Sequence, residues 1–277
     1  MRSARLAFLV TALAAHPLYA QGFTWENATE LSFVSTGGNA SSTTFGVKAS
    51  LTGTGAPNTV KLEIGGIRAS SDITTRRADG TAASFTITET TSSETTASSY
   101  FARSRYDRAF AGAFAFGGGG WERNTFAGVE NRFSIVAGLG RTWVEGESGR
   151  FKTDIGGTYT IQRDVQPAAG ADDEFFGARA TIEATRRLTA TADYSSMLIA
   201  DQNLETTADF RADWINSIAV TISEGLALKT SLQLLYDAQP ANVPVPLFNA
   251  GGVQTGTVSA RGDEIDRVVT LTLVVRF

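Results

Sequence analysis

The chain ends Val268-Val269-Thr270-Leu271-Thr272-Leu273-Val274-Val275-Arg276-Phe277, and no other stretch says as much about its architecture. Counted back from Phe277, every second residue is apolar: Val275, Leu273, Leu271 and Val269. The alternate positions include Arg276, Thr272 and Thr270. A period of two residues indicates a β-strand with one apolar and one polar face. Since a strand of a soluble sandwich can show the same alternation, the rest of the chain has to separate a sandwich from a barrel.

The same alternation recurs after Gln21 and predicts about twelve strands. Most of them reach the ~9–11 residues that a tilted strand needs to cross a bilayer. No apolar run long enough for a membrane-spanning helix follows Gln21. A bilayer tolerates no unpaired backbone, so a chain of this kind can cross it only as a closed barrel. We therefore predict an all-β fold, a single antiparallel up-and-down transmembrane β-barrel of about 12 strands.

The predicted connectors differ in length at the two ends of this barrel. With Phe277 on the periplasmic side, the extracellular connectors are 237–264, 200–204, 165–173, the residues near Asn124, 74–95 and 37–41. The periplasmic connectors are 223–225, the residues around Arg186 and Arg187, 145–149, 107–108 and 55–58. Outer-membrane barrels have long loops outside and short turns inside. The asymmetry therefore favours such a barrel over a sandwich, and an even strand count places both termini in the periplasm.

The two longest connectors have unusual compositions. Residues 74–95 are dominated by Thr, Ser, Glu and Ala, and residues 237–263 contain Pro240, Pro244 and Pro246. Neither composition can form a core. We therefore expect both segments to be flexible loops.

Aromatic residues and glycines add two expectations about the strands. The four tryptophans, Trp25, Trp121, Trp143 and Trp214, fall near predicted strand ends, where they would suit the aromatic girdles of a barrel. Phe110, Gly112, Phe114 and Phe116 occupy alternate positions, separated by three alanines, and predict one apolar strand face. The run Gly117–Gly120 is not followed by the Lys-Ser/Thr of a phosphate loop, so we attribute it to strand curvature.

The first twenty residues have the parts of a secretory signal peptide. Arg2 and Arg5 precede an apolar run over residues 6–15, and Leu18-Tyr19-Ala20 forms a cleavage site before Gln21. The run is shorter than the roughly 20 residues of a membrane-spanning helix. We expect a cleaved signal peptide over residues 1–20, a single outer-membrane β-barrel domain over residues 21–277, and a location in the outer membrane of a Gram-negative cell.

Export changes the charge and the chemistry of the chain. The full chain has 24 basic and 28 acidic residues, and cleavage removes only Arg2 and Arg5, so the net charge falls from −4 to −6. An acidic chain argues against a nucleic-acid partner, which needs a basic face. Cleavage also removes His16, the single histidine, and the chain has no cysteine. The enzymatic outer-membrane barrels depend on a histidine, so we expect a protein that is not an enzyme.

Several charged residues fall on the polar faces of the predicted strands and would line the lumen. A pair of carboxylates could serve catalysis, as in glycoside hydrolysis. Bases occupy the same faces, however, and mixed signs predict a lumen filled with salt bridges. We therefore expect no catalytic, cofactor-binding or metal-binding residues. The candidate lumen-lining charges are Arg179, Glu183, Asp193, Asp209, Arg211, Asp213 and Lys229.

Three segments resemble the DUF481 family of YdiY-like, salt-induced outer-membrane proteins. They are Glu30–Asn39, which leads into a Gly-Asn turn, the run Trp121-Glu122-Arg123-Asn124 with Ala137-Gly138-Leu139-Gly140 after it, and the penultimate strand Leu226–Asp237 before Pro240. Two positions depart from the family pattern: Asn124 stands where Asp is expected and Arg141 where an aromatic residue is usual. The resemblance implies an outer-membrane barrel of undefined biochemical role.

The last strand also resembles the closing strand of bacterial outer-membrane barrels. In those proteins a terminal Phe and alternating apolar positions form the signal read by the barrel-assembly machinery. The resemblance implies that machinery as a partner during biogenesis. The residues that would form the signal are Leu271, Leu273, Val275 and Phe277.

Two functions remain open on the sequence alone. One is a structural or stress-related role in contact with outer-membrane lipid and lipopolysaccharide. The other is a narrow passive channel for small solutes or ions, because twelve strands lie between the filled barrels of about eight strands and the open channels of about 16–18. The sequence leaves the oligomeric state open.

Overall fold

The structure is a computed structural model of the chain. It describes residues 22–36, 40–81, 84–125, 128–165, 167, 173–240, 242–250, 252–261 and 263–276. The predicted signal peptide, the Gly-Asn turn at residues 37–39 and Phe277 lie outside the described residues. In the part that the structure describes, no helix is long and apolar enough to cross a membrane.

The described residues form fourteen β-strands, and twelve of them close into one barrel. Their bounds are β1 (Thr24–Thr36), β2 (Ala40–Gly55), β3 (Asn58–Thr81), β4 (Ser84–Phe110), β5 (Ala113–Asn124), β6 (Val129–Gly146), β7 (Gly149–Asp164), β8 (Glu174–Arg187), β9 (Ala192–Asn203), β10 (Phe210–Ser223), β11 (Leu226–Asp237), β12 (Asn242–Phe248), β13 (Gln254–Arg261) and β14 (Ile265–Arg276). The order around the barrel is β1-β14-β11-β10-β9-β8-β7-β6-β5-β4-β3-β2, and β12 pairs only with β13. The prediction of a single antiparallel barrel of about twelve strands is confirmed.

Exposure alternates along the strands as a barrel requires. In β14, Leu271 is 54% exposed and its neighbour Thr272 is 6% exposed. In β7, Ile155 is 66% exposed and Asp154 is 9% exposed. Residues paired across strands share one face of the sheet, so these contrasts define an apolar outer wall and a polar inner wall. The predicted apolar face of the last strand is the outer one.

The connectors at the two ends of the barrel differ in length. At one end, here called the turn end, they are 56–57, 111–112, 147–148, 188–191 and 224–225. At the other, the loop end, they are 37–39, 82–83, 125–128, 165–173, 204–209 and 238–264, the last of which contains β12 and β13. The asymmetry agrees with the predicted one, although individual bounds shift by several residues.

The first long connector is not a loop. Residues 74–81 belong to β3 and residues 84–95 to β4, and the two strands pair from Asn58↔Arg108 to Thr81↔Ser84. The strands on either side of this pair end before it does. Among the described residues, β2 pairs with β3 as far as Ile73, and β5 pairs with β4 as far as Ser99. The expectation of a flexible loop was therefore wrong. Threonine is β-branched and favours extended backbone, so a polar composition that cannot form a core still forms a two-stranded hairpin beyond the barrel wall.

The second long connector also contains regular structure. Within residues 237–263, β12 and β13 form a hairpin that pairs Asn242↔Arg261 through Phe248↔Gln254. Pro244 and Pro246 lie inside β12, which has one partner strand only. Proline is tolerated on such edge strands, so the prolines do not exclude a strand, and the expectation of an irregular loop was wrong here.

The turn between β4 and β5 decides which face the following aromatic residues occupy. Ala111 and Gly112 both have positive φ, 46° and 79°, as in the type I′ turns that join two-residue hairpins. Phe110 and Ala113 flank this turn and pair with each other. They therefore share a face, and Phe114 lies on the opposite one.

The tryptophans lie near the two rims of the outer wall. Trp25 is close to the start of β1 and Trp143 close to the end of β6, both at the turn end. Trp121 and Trp214 lie near the loop end, where they pair with Phe133 and Leu198 on the outer face. Indole rings favour the depth of lipid headgroups, so the two rims fit the edges of a bilayer.

The barrel closes along its shortest seam. Among the described residues β1 and β14 pair at four positions, from Ala28↔Arg276 to Leu31↔Leu273. On their other sides β1 pairs with β2 from Thr24 to Thr36, and β14 pairs with β11 from Tyr236↔Ile265 to Leu226↔Val275. The first and last strands are therefore held mainly by their sequence neighbours.

A new charge should lower the stability of the barrel much more on the outer wall than on the inner wall. Leu271→Arg places a guanidinium on the outer wall near the middle of β14, and Thr270→Arg places one on the inner wall one residue away. We expect Leu271→Arg to lower the free energy of unfolding in phospholipid vesicles by about 2–4 kcal/mol, and Thr270→Arg to change it far less. Urea titration of the refolded variants measures both. Equal losses would contradict the assigned faces.

Candidate functional site in the barrel lumen

The inner wall carries charges of both signs, and most of them lie in ion pairs. On one side Glu122 contacts Arg132 at 2.5 Å and Arg103 at 3.8 Å. Asp213 on β10 also faces the lumen and accepts a hydrogen bond from Gln233 at 2.8 Å. β4, which carries Arg103, and β10 are six strands apart in the twelve-strand order. Charges therefore face the lumen from opposite walls.

Arg105 on β4 is the centre of a second network, here called the Arg105 cluster. Its Nε donates to Asp107 Oδ1 at 2.7 Å, and its Nη2 donates to Asp154 Oδ2 on β7 at 2.8 Å. Lys152 Nζ donates to the other oxygen of Asp107 at 3.2 Å. Asp154 is 9% exposed, so its negative charge is largely removed from water and is stabilised by the ion pair with Arg105. The cluster links β4 to β7 over the two strands between them.

Two phenylalanine rings complete the Arg105 cluster. Phe114 and Phe116 are 4% and 5% exposed, with ring centroids 6.3 Å apart. Arg105 Cζ lies 4.0 Å from the centroid of Phe116, and Lys152 Nζ lies 4.6 Å from that of Phe114. Both contacts have cation–π geometry. The expected single apolar face with Phe110 was wrong, because the β4–β5 turn leaves Phe110 outside and turns Phe114 and Phe116 into the lumen.

Glycines on the neighbouring inner wall make room for these rings. A Cβ at Gly140 would collide with the ring of Phe114 and lie 2.7 Å from Asp154 Cβ. A Cβ at Gly156 would lie 3.1 Å from Phe116 Cζ. Sequence reasoning missed this pocket for the rings, since its signal is a match between two inward-facing glycines and two phenylalanines that are spread over three consecutive strands.

Two of the predicted lumen charges, Arg179 and Lys229, are bases with close acidic partners. Arg179 binds Asp201 through two parallel hydrogen bonds of 2.7 and 2.9 Å, the bidentate geometry that makes such pairs strong. Lys229 Nζ donates to both carboxylate oxygens of Glu30 at 2.9 Å. Sequence analysis identified neither acidic partner, and Glu30 is separated from Lys229 by 199 positions in the chain.

Asp209, Arg211 and Asp213 lie near one another in sequence but have different partners. Asp209 is 7% exposed and accepts hydrogen bonds from Arg211 Nη2 at 2.9 Å and from Asn203 at 3.1 Å. Asp213 instead accepts one from Gln233 at 2.8 Å. The structure therefore divides the predicted group between the loop end of the lumen and the wall below it.

Glu183 and Asp193 lie toward the turn end. Glu183 accepts a hydrogen bond from Arg150 Nη2 at 2.5 Å. Asp193 is 3.9 Å from Arg187 Nε, and its side chain is about half exposed. Asp193 is thus at the mouth of the barrel and not in its interior.

A cavity of about 540 Å³ opens at the turn end. Its lining contains both acids and bases, among them Glu30, Lys229, Arg150, Arg187 and Asp193. It reaches from β1 to β7, which lie on opposite sides of the barrel. Within the described ranges, no group of three or more His, Cys, Asp or Glu side chains could hold a metal ion.

Removing Arg105 should destabilise the barrel, because Asp154 would keep its buried charge without its partner. We expect Arg105→Ala to lower the free energy of unfolding by about 1–3 kcal/mol in urea titrations. Arg163→Ala is the matched control, since Arg163 is 77% exposed in its pair with Glu130 and should contribute under about 1 kcal/mol. Adding Asp154→Asn to Arg105→Ala should restore part of the loss. An Arg105→Ala variant as stable as the control would show that the cluster is not a stabilising contact.

Solved outer-membrane proteins share the barrel architecture at low similarity. An anion-selective porin from Comamonas acidovorans is 9% identical, with a TM-score of 0.39 over 92% of this chain and 99% of that one. An outer membrane channel from Pseudomonas putida F1 is 12% identical, with a TM-score of 0.41 over 92% and 96%. The translocator domain of the autotransporter NalP from Neisseria meningitidis is 12% identical, with a TM-score of 0.38 over 92% and 88%. These values are too low to inform the function of this chain.

A comparison with curated proteins finds no match. The family profile that matches is described as "Protein of unknown function, DUF481" and covers residues 29–244, most of the barrel. The match agrees with the segments quoted from the sequence, all of which fall largely within it. The chain folds into a closed antiparallel β-barrel and belongs to the DUF481 family.

Proposed function

We propose that this protein is an exported, non-enzymatic component of a Gram-negative outer membrane, with a structural or stress-related role and a lumen closed by the Arg105 cluster. The apolar outer wall, the two tryptophan rims and the short connectors at one end support a barrel that spans the membrane with its turn end in the periplasm. Its surroundings would be outer-membrane lipid and lipopolysaccharide.

The burial of Phe114 and Phe116 inside the lumen is the main support for a lumen that is blocked. An apolar ring in a wide aqueous channel would stay exposed, whereas these two rings are held by Arg105 and Lys152. The Arg105 cluster also joins β4 to β7 through Asp154. Because most of the described lumen charges lie in ion pairs, the lumen can be filled with few unpaired ions.

The absence of an enzymatic role is part of the proposal. The chain after residue 20 contains neither His nor Cys, so it lacks the usual general base and thiol nucleophile. Among the predicted carboxylates, Glu183 is engaged by Arg150 and Asp209 by Arg211. Carboxylates held in ion pairs in this way are better suited to filling the lumen than to acid–base catalysis.

A stress-related role rests on the resemblance to salt-induced outer-membrane proteins. A closed lumen would let the cell add barrel protein to its outer membrane without raising ion permeability. Partly buried pairs such as Arg179–Asp201 are also screened by salt less than exposed ones. The barrel would therefore keep its interior contacts at high ionic strength.

A narrow passive channel is the second candidate. The turn-end cavity of about 540 Å³ and the charged inner wall favour it, since polar linings are what small hydrophilic solutes need. In that case the Arg105 cluster would be the constriction, and lumen charges would set ion selectivity.

Planar-bilayer recordings separate the two candidates. We expect the purified wild-type barrel to give no discrete current steps, and Phe114→Ala with Phe116→Ala to give resolved steps because the aromatic filling is removed. Phe110→Ala, which truncates a ring on the outer wall, is the matched control and should stay silent. Discrete current steps from the wild type would reject the blocked lumen in favour of the channel.

The barrel-assembly machinery is a proposed partner during biogenesis, through Leu271, Leu273, Val275 and Phe277. Deletion of Phe277 should lower the yield of folded, heat-modifiable protein in the outer membrane severalfold, because the terminal aromatic of the signal is lost. Gel mobility with and without heating measures the folded fraction. Replacement of Phe277 by Tyr should keep most of the yield, and unchanged assembly of the deletion would argue against the signal.

A further inference from the structure

We propose that the outer wall binds the phosphate group of a phospholipid at Arg141, beside Trp143. The proposal rests on the membrane location proposed above and adds a specific lipid contact to it. Arg141 is exposed on the outer face of β6, in line with Phe133, Ile135 and Leu139. A permanent positive charge in an apolar belt needs a partner in the surrounding lipid.

The depth of Arg141 matches a lipid headgroup. Arg141 pairs with Ala113 on one side and with Thr153 on the other. Ala113 is the first residue of β5, directly after the two-residue turn. Arg141 therefore lies close to the turn end, between Leu139 and the rim residue Trp143 on the outer wall. The phosphates of the periplasm-facing leaflet lie at this boundary in the proposed orientation.

The surroundings of Arg141 orient its guanidinium and leave its donors available. Its Cζ lies 4.7 Å from the ring centroid of Trp143, and Trp143 Nε1 donates to Thr153 Oγ1 at 2.8 Å. Within the described part of the chain, no acidic side chain forms an ion pair with Arg141. A guanidinium stacked on an indole presents its fork sideways, which suits two oxygens of one phosphate.

A groove next to Arg141 suits the rest of a phospholipid. It has a volume of about 290 Å³ and is lined by Leu139, Gly140, Arg141, Thr153, Asp154 and Ile155. Leu139 and Ile155 are 60% and 66% exposed on the outer wall. A phosphate at Arg141 would place an acyl chain along these two side chains, so charge and apolar surface select the same ligand.

Native mass spectrometry of the full-length protein in detergent tests this site. The probes are phosphatidylglycerol, a diacyl galactolipid that has tails but no phosphate, and inorganic phosphate. We expect Arg141→Ala to weaken phosphatidylglycerol binding about tenfold, the loss typical of a charge-assisted hydrogen bond, and Arg141→Lys to weaken it less. Arg267→Ala, which removes an exposed base from the loop end of β14, should bind as the wild type does.

The outcomes separate the site from the membrane location. Equal binding by wild type and Arg141→Ala would overturn the site, and so would retention of the galactolipid as tightly as phosphatidylglycerol. Displacement of the lipid by equimolar inorganic phosphate would assign Arg141 to a free anion and overturn the lipid assignment. Heat-modifiable mobility checks that each variant is folded. A wild-type chain that does not fold into phospholipid vesicles would reject the membrane location, whereas a folded barrel indifferent to Arg141 rejects the site alone.

Discussion

A backbone N–H or C=O group that is removed from water needs a hydrogen-bond partner within the protein, and closure of the sheet supplies one along the barrel strands. Each barrel strand pairs on both sides, and β14 reaches β1 to close the ring. Once the ring is closed, successive side chains can only point outward or into the lumen. The period-two alternation of Leu271 and Thr272 is the direct expression of that choice.

Closure of the sheet leaves charged side chains inside the lumen, where they need partners. The charged groups of the inner wall must share one lumen, and several of them pair across long stretches of sequence, as Lys229 does with Glu30. Arg105 combines both ways of filling space, since it pairs with Asp107 and Asp154 and also covers the ring of Phe116. Aromatic and ionic contacts therefore stabilise the same region of the wall.

The outer face could be predicted from the sequence and the inner contacts could not. Alternation in the last strand gave the correct face because Leu271 and Thr272 differ in polarity. In β5, Phe alternates with Ala, two apolar types, so the pattern could not say which set faces inward, and the positive φ values of Ala111 and Gly112 decided it. The partners of Arg179 and Lys229 depend on strand register, which hydropathy does not encode. Residues 74–95 were misjudged because composition reports on core formation and not on pairing.

The short seam between β1 and β14 has a mechanical consequence. Among the described residues, four pairs join the first strand to the last, whereas β3 and β4 pair from Asn58↔Arg108 to Thr81↔Ser84. Under load or denaturant, the cylinder has one line along which it can unzip while the other eleven junctions stay intact. A sheet opened at this seam would expose the edges of β1 and β14 first. The unequal lengths of pairing between neighbouring strands therefore set the order of disassembly.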